Sequence, residues 1–283
     1  MELLKDLFKK KAVRIKTIVL ASVLALVLLL ELGSIIISLS YRTWSPGYER
    51  EDISHLLGGT LNDADYDILY RQTGLTRMGI DDLLSDGRAD RILEIQDSFF
   101  TDDDYEADHF GVFLCAFDRK DAGYYPYPKL RTGDIVCCFS TFFSFFEMGH
   151  CGIVMDGERG ILAECAGYST DFKLINASRF FSCPAFVVLR PRCDDETKQN
   201  IVEYINEEML GASYDILAGI FEPKDRMPLR ATHCSHAIWY AYNKFGIDID
   251  SNGGKIVTPM DIFLSDKLDI VGARGVDIFE IYR

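Results

Sequence analysis

The chain has 283 residues, of which 48% are hydrophobic and 12% aromatic, and its formal net charge is −14. This length corresponds to one or two domains, and the apolar content excludes an intrinsically disordered chain. Residues 1–16 hold six basic and two acidic side chains, which leaves −18 for the remainder. Such a charge repels a phosphate backbone, so we expect no nucleic-acid partner.

Residues 17–40 are predicted to form one transmembrane helix. Glu31 is their only charged residue, and about 20 apolar helical residues cross a bilayer core of roughly 30 Å. The basic residues 1–16 come first, so the positive-inside rule predicts a cytoplasmic tail followed by an extracytoplasmic domain. This topology is that of a single-pass plasma-membrane protein with a signal anchor. A cleaved signal peptide is the alternative, and cleavage would release a secreted protein.

The two segments after the anchor carry no recognisable chemistry. Residues 41–50 contain a Pro-Gly pair and are predicted to be a linker. Residues 51–127 are predicted to be a helical N-terminal segment, because apolar side chains recur at helical spacing as far as residue 108. Short apolar runs that are typical of strands begin after Phe110.

Residues 128–283 are predicted to be a separate α+β domain. The turn glycines of residues 156–160 indicate a hairpin. Strands are expected at residues 135–139, 151–155, 161–165 and 185–189. Helices are expected at residues 195–210, from the N-cap Thr232 to Gly246, and from Thr258 onward. Strands grouped before helices are typical of an α+β arrangement.

The chain contains eight cysteines, and most lie in apolar surroundings. Free cysteine behaves as a small buried hydrophobe, so buried free thiols are a simpler interpretation than a disulfide framework. No pair has the Cys-x-x-Cys spacing of a zinc site. His233 and His236 with nearby cysteines remain as a weaker metal-site hypothesis, and we expect no metal.

Cys234 is a candidate nucleophile. With Thr232 as N-cap it lies in the first turn of a helix, where free N–H groups and the helix dipole favour a thiolate. It shares one helix face with Ile238, Ala241 and Phe245, so its thiol is expected to point toward the sheet. The same spacing fits an ordinary core cysteine, and periodicity alone favours that interpretation.

A thiol nucleophile needs a base, and His150 is the best-placed histidine because it stands at the lip of a predicted strand. His233 and His236 are expected to be turned off the Cys234 face, since each helical residue adds about 100° of rotation.

Hairpin pairing places His150 opposite residues 165–167 and brings Glu164 within reach of its ring. The apolar neighbours of Glu164 indicate a buried carboxylate, and an exposed strand face is the alternative.

Four short motifs occur in an informative order. They are residues 133–136, residues 149–154, Glu164 and residues 232–235. Together they resemble the permuted papain-like hydrolases of the YiiX type, which are relatives of the NlpC-type cell-wall peptidases. In papain the cysteine precedes the histidine, whereas His150 and Glu164 here precede Cys234, as in the permuted group. The resemblance covers about residues 128–272.

The resemblance implies a permuted papain-like fold, in which an antiparallel sheet faces a nucleophile at a helix N-terminus. It assigns Cys234 as nucleophile, His150 as general base and Glu164 as the orienting group. The implied chemistry is acyl transfer to water through a thioester, without a metal or organic cofactor. Location then suggests an amidase or peptidase that acts on cell-wall peptides. Asp134 is expected to support its turn, and Tyr214 and Asp215 to be structural or to form a pocket wall.

Other functions stay open. A lipid acyl hydrolase or acyltransferase would use an acyl-bearing substrate and is suggested by five phenylalanines close to His150 and the anchor, although a core role for them is the more ordinary one. They are Phe139, Phe142, Phe143, Phe145 and Phe146. A surface binding module that lost turnover, or a thiol-based redox sensor, is the non-enzymatic alternative.

Overall fold

Helix α1 (Glu2–Ser40) is the first element of the computed structural model, which describes residues 2–101, 105–110, 113–121, 123–167 and 170–281. Met1 of the predicted cytoplasmic tail lies outside the described residues. The stretch Lys10–Ser40 has a mean hydropathy of 2.6 over its apolar window. The predicted apolar helix is therefore confirmed as one that is long enough to span a membrane or to act as a signal.

Three short helices follow: α2 (Asp63–Thr73), α3 (Arg77–Ser85) and α4 (Ala89–Phe100). A single 3₁₀ turn at Ser54–Leu56 precedes them. Their apolar faces form a cluster of their own around Ile53. This part of the chain is helical, as its spacing predicts.

Two antiparallel sheets contain most of the strands. In chain order the strands are β1 (Tyr105–Phe110), β2 (Leu114–Arg119), β3 (Ile135–Cys138), β4 (Thr141–Phe143), β5 (Phe146–Glu147), β6 (His150–Asp156), β7 (Ile161–Glu164), β8 (Lys173–Asn176), β9 (Phe186–Pro191), β10 (Ser213–Tyr214), β11 (Ala231–Thr232) and β12 (Leu268–Arg274). The larger sheet has the order β12-β9-β3-β6-β7-β8, and the smaller one β1-β2-β4-β5. Strands β10 and β11 form a short parallel pair.

Helices follow or separate the later strands: α5 (Ser178–Phe181), α6 (Asp195–Tyr204), α7 (Cys234–Lys244), α8 (Pro259–Phe263) and α9 (Ile278–Ile281). Helix α6 continues into a π-helical turn at Ile205–Met209. The main core lies between one face of the larger sheet and helices α6 and α7, and a second apolar cluster with α5 covers the other face. The protein is therefore a mixed α+β structure with antiparallel sheets and an N-terminal apolar helix.

Two strands differ from the predicted order. Residues 105–108 belong to β1, although helical spacing assigned them to the helical segment, because Tyr105–Phe110 pairs along its whole length with β2. Strand β12 comes after the helices and pairs with β9 in antiparallel orientation. Strand β1 is fixed by its hairpin partner β2, and β12 is fixed by β9, which lies much earlier in the chain. By contrast, the hairpin of β6 and β7 and the cap of α8 at Thr258 lie where they were predicted.

Candidate active site

The His150 imidazole and the Glu164 carboxylate form a hydrogen bond across the β6–β7 hairpin. His150 Nε2 lies 2.7 Å from Glu164 Oε2. The register pairs Ile153 with Ala163, so the two side chains are diagonal neighbours, as the position of the turn predicts. The structure therefore brings these two predicted site residues into direct contact.

Glu164 is buried, with 1% of its surface exposed. The alternative of an exposed strand face is therefore wrong. Its second oxygen, Oε1, makes no hydrogen bond within the described chain and lies 3.4 Å from Nε of the exposed Arg179. A buried carboxylate needs a charged or hydrogen-bonding partner, and the His150 ring is the close one here.

The His150 ring is held on a second side by Phe180. The two rings are stacked, with centroids 5.1 Å apart and an interplanar angle of 11°. Phe180 is itself buried against the larger sheet. Because Glu164 occupies Nε2 and Phe180 covers the ring face, Nδ1 is the nitrogen left for a second partner.

Cys234 is the first residue of α7, which packs against β6. The pKa of its thiol lies well below the usual range, because a hydrogen bond with Cys151 and the charge and hydrogen bond of His150 outweigh the effect of burial. Burial lowers the pKa of His150, but the Cys234 thiolate and Glu164 raise it to about 10. The two shifts both favour a thiolate on Cys234 and an imidazolium ion on His150.

The pKa values of the neighbouring thiols are raised, not lowered. Burial, together with the negative charge of Cys234, raises the pKa of Cys165 to about 12. Burial also raises the pKa of Cys138 and Cys151 well above the usual value. All eight cysteines lie among the described residues and none is in a disulfide. Cys234 is thus the thiol that the site sets up as a thiolate.

The start of α7 differs from the prediction. The N-cap is His233, not Thr232, because Thr232 is held in β11 beside Tyr214. Since His233 has an extended backbone with φ −124° and ψ 175°, the helical rotation argument does not apply to it. Its buried ring lies near Cys234 and helps to lower the pKa of that thiol.

His236 is a structural residue. Its Nε2 donates a hydrogen bond to the Lys224 carbonyl, and its Nδ1 lies 2.8 Å from the Thr232 hydroxyl. Both ring nitrogens are therefore used by the protein. The weaker hypothesis of a metal site at His233 and His236 loses one of its two imidazole ligands.

Tyr214, which the sequence analysis expects to be structural or to form a pocket wall, interacts electrostatically with Cys234. Burial and the charge of the Cys234 thiolate raise its pKa to about 12. Its hydroxyl therefore stays protonated at neutral pH and can donate a hydrogen bond. Its position depends on the pairing of β10 with β11 and on the bond from Asp215 N to Thr232 O of 2.7 Å. No local pattern reports such a contact.

Acidification is expected to destabilise the protein through His236. An unfolded histidine titrates near pH 6.5, whereas burial lowers the pKa of folded His236 to about 4. Between these values the unfolded state binds more protons, so stability falls as the pH drops from 6.5 to 4, by about 3 kcal/mol in full. Urea denaturation at pH 7, 5.5 and 4 measures this loss. His236→Gln should reduce this loss of stability, and substitution of the exposed His55 by Gln should not. Equal losses in the unmodified chain and both variants would contradict the assignment of the loss to His236.

Comparison of the chain with family models, with curated proteins and with solved structures gave no match. The geometry of Cys234, His150 and Glu164 is therefore the basis of the functional proposal.

Proposed function

We propose that this chain is a membrane-anchored, extracytoplasmic cysteine hydrolase with a permuted papain-like fold of the YiiX type. It acts as an amidase or peptidase, with peptides of the cell wall as the substrate class that the location favours. The observation that carries the proposal is the 2.7 Å bond between His150 and the buried Glu164, beside a Cys234 thiol of lowered pKa. A core cysteine needs neither an ion pair nor an oriented base.

In the proposed reaction, the Cys234 thiolate attacks the substrate carbonyl carbon, and the carbonyl oxygen becomes an oxyanion. Backbone N–H groups in the first turn of α7 stabilise this charge. The intermediate collapses to a thioester as the His150 imidazolium gives its proton to the leaving amine.

Hydrolysis then reverses these roles. Neutral His150 takes a proton from a water molecule, which attacks the thioester and releases the acid and the Cys234 thiolate. Glu164 accepts the Nε2–H bond in both steps, which keeps Nδ1 directed at the thiol and stabilises the imidazolium. These residues supply the nucleophile, the acid and the base without a cofactor.

A lipid acyl hydrolase or acyltransferase is the second candidate, and the sorting of the phenylalanines favours it. Phe139 and Phe142 are buried, as a core role predicts, but Phe145, which lies beside Gly33 of α1, and its neighbour Phe146 are 47% and 56% exposed. Exposed aromatic side chains next to an apolar helix suit a substrate that is held in the membrane.

Trapping of the acyl-enzyme tests hydrolysis. The full-length protein in detergent micelles is mixed with p-nitrophenyl acetate and quenched in acid, and its peptides are analysed by mass spectrometry. We expect one acetyl group, on Cys234, preceded by a burst of nitrophenolate, because only this thiol is a thiolate. Cys234→Ala should lose both signals, and the half-buried Cys183→Ala should keep them. No adduct, or acetyl groups spread over several cysteines, would contradict the proposal.

A further inference from the structure

The last quarter of α1 packs against the smaller sheet. Ser144, in the turn between β4 and β5, donates a hydrogen bond of 2.8 Å from its hydroxyl to the Leu30 carbonyl. Gly33 is buried here, and a Cβ on it would overlap Ser144 and lie 2.6 Å from the Phe145 ring. Glu31 Oε2 is also buried. One carboxylate oxygen of the only charged residue in the predicted span is thus covered by protein.

The opposite face of the same helical turns is apolar and uncovered. Its side chains are 48% to 76% exposed: Leu32, Ile35, Ile36 and Leu39. An apolar stripe of this kind on a helix that is otherwise fit to cross a bilayer is a lipid-facing surface. The helix therefore has lipid on one side and the smaller sheet on the other at the same level.

The depth of this contact follows from helix geometry. A bilayer core of about 30 Å takes about 20 helical residues, so a span that begins at Thr17 ends near Ile36. Gly33 and Leu30 then lie about 5 to 9 Å inside the outer boundary. The turn of the β4–β5 hairpin is bonded at this depth.

The hairpin itself has the side chains that such a depth requires. Phe145 and Phe146 are exposed and in mutual contact, with ring centroids 4.3 Å apart. Glu147 is the only charged residue in the run 141–148. Ser144 has φ +56°, a left-handed backbone that few non-glycine residues adopt, and its backbone N–H is bonded to Phe113 O. The turn is thus fixed in the conformation that presents the two rings.

We propose that the β4–β5 hairpin is a second membrane contact, inserted in the outer leaflet beside α1, and that its occupant is the lipid bilayer. Continuity with the lipid-facing stripe of α1 is the reason to choose lipid over a protein partner. The inference rests on the proposal that α1 stays in the membrane. His150 follows Phe146 by four residues, at most about 14 Å of chain, so the thiol site lies close to the headgroup layer.

Fluorescence quenching by brominated lipid tests the insertion. The full chain with Phe146→Trp is reconstituted in phosphatidylcholine vesicles whose acyl chains carry bromine near the carbonyl end. The new tryptophan adds its emission to that of Trp44 and Trp239. Brominated lipid should quench most of this added emission, relative to vesicles without bromine. The added emission of Ile36→Trp, on the lipid-facing stripe, should be quenched to a similar extent. Leu174→Trp on β8, with a native side chain of similar exposure at 46%, should keep its added emission.

Two results would overturn the proposal. Quenching of the Phe146→Trp emission by iodide but not by brominated lipid would place the hairpin in water. Protection from both quenchers, with cross-links between chains, would mean that a second copy covers it. Acetylation of Cys234 in the same vesicles reports on the hydrolase proposal separately, because the hairpin residues make no contact in the proposed reaction.

Discussion

Iodoacetamide is expected to modify Cys234 at pH 6 roughly 10- to 100-fold more slowly in His150→Ala than in the unmodified chain. Without the imidazolium, the thiol loses the charge and the hydrogen bond that lower its pKa, while burial still raises it. A cysteine with an ordinary pKa near 8.5 is less than about 1% thiolate at pH 6. Lower intrinsic nucleophilicity of the native thiolate offsets part of the difference.

The pH profile is expected to change shape as well as height. In the unmodified chain the ion pair persists up to the pKa of His150 at about 10, so the labelling rate should be nearly flat from pH 6 to 9. In His150→Ala the rate should rise about tenfold for each pH unit until the thiol has titrated. Peptide mass spectrometry at timed intervals gives both profiles for each cysteine.

Two residues of the chain serve as controls. The half-buried Cys183 reports general accessibility, and His55→Ala removes an exposed histidine that makes no contact with the site. Neither signal should change by more than about twofold, the ordinary effect of a surface substitution. If Cys234 of the unmodified chain labels no faster than Cys183, or rises tenfold per pH unit, the thiolate does not exist and the hydrolase proposal fails.

The part of the site that sequence could predict is the part formed by local register. His150 and Glu164 stand on one hairpin, so the position of its turn is enough to place them diagonally. Their contact with Cys234 depends on α7 packing against β6, which sequence spacing does not encode; there the resemblance to a family supplied the pairing. The hydrogen bond between the Cys151 and Cys234 thiols also depends on tertiary packing, and no local pattern predicts it.

The fold, like the site, could be predicted where local sequence determines it and not where tertiary pairing does. Strands with strong apolar runs, such as β3 and β9, lie within a residue or two of the predicted ranges. Strand β1 and the N-cap at His233 were not predicted, because strand pairing with β2 in one case and with β10 in the other outweighs local propensity. The phenylalanine cluster was also divided by position: Phe139 and Phe142 are buried whereas Phe145 and Phe146 are exposed, a difference that no periodicity predicts.

Arg190→Ala is expected to lower the free energy of unfolding by about 3 to 5 kcal/mol. Arg190 is 5% exposed and lies between two buried carboxylates. Its Nε and Nη2 donate to Asp134 at 2.9 and 2.7 Å, and its Nη1 donates to Asp82 at 2.5 Å. Asp134 also accepts from Arg131 N at 2.8 Å, which confirms its role in supporting the turn before β3.

The size of this effect follows from what the truncation leaves behind. Two carboxylates joining α3 to the larger sheet would remain buried with their main partner removed, and a buried unpaired charge is costly. Arg192→Ala is the matched control, since Arg192 follows the same strand and pairs with Asp269 at the surface, with 55% of its side chain exposed. A surface pair contributes at most about 1 kcal/mol. Urea midpoints of the full chain in micelles measure both variants; equal midpoints would show that the Arg190 network does not hold α3 on the sheet.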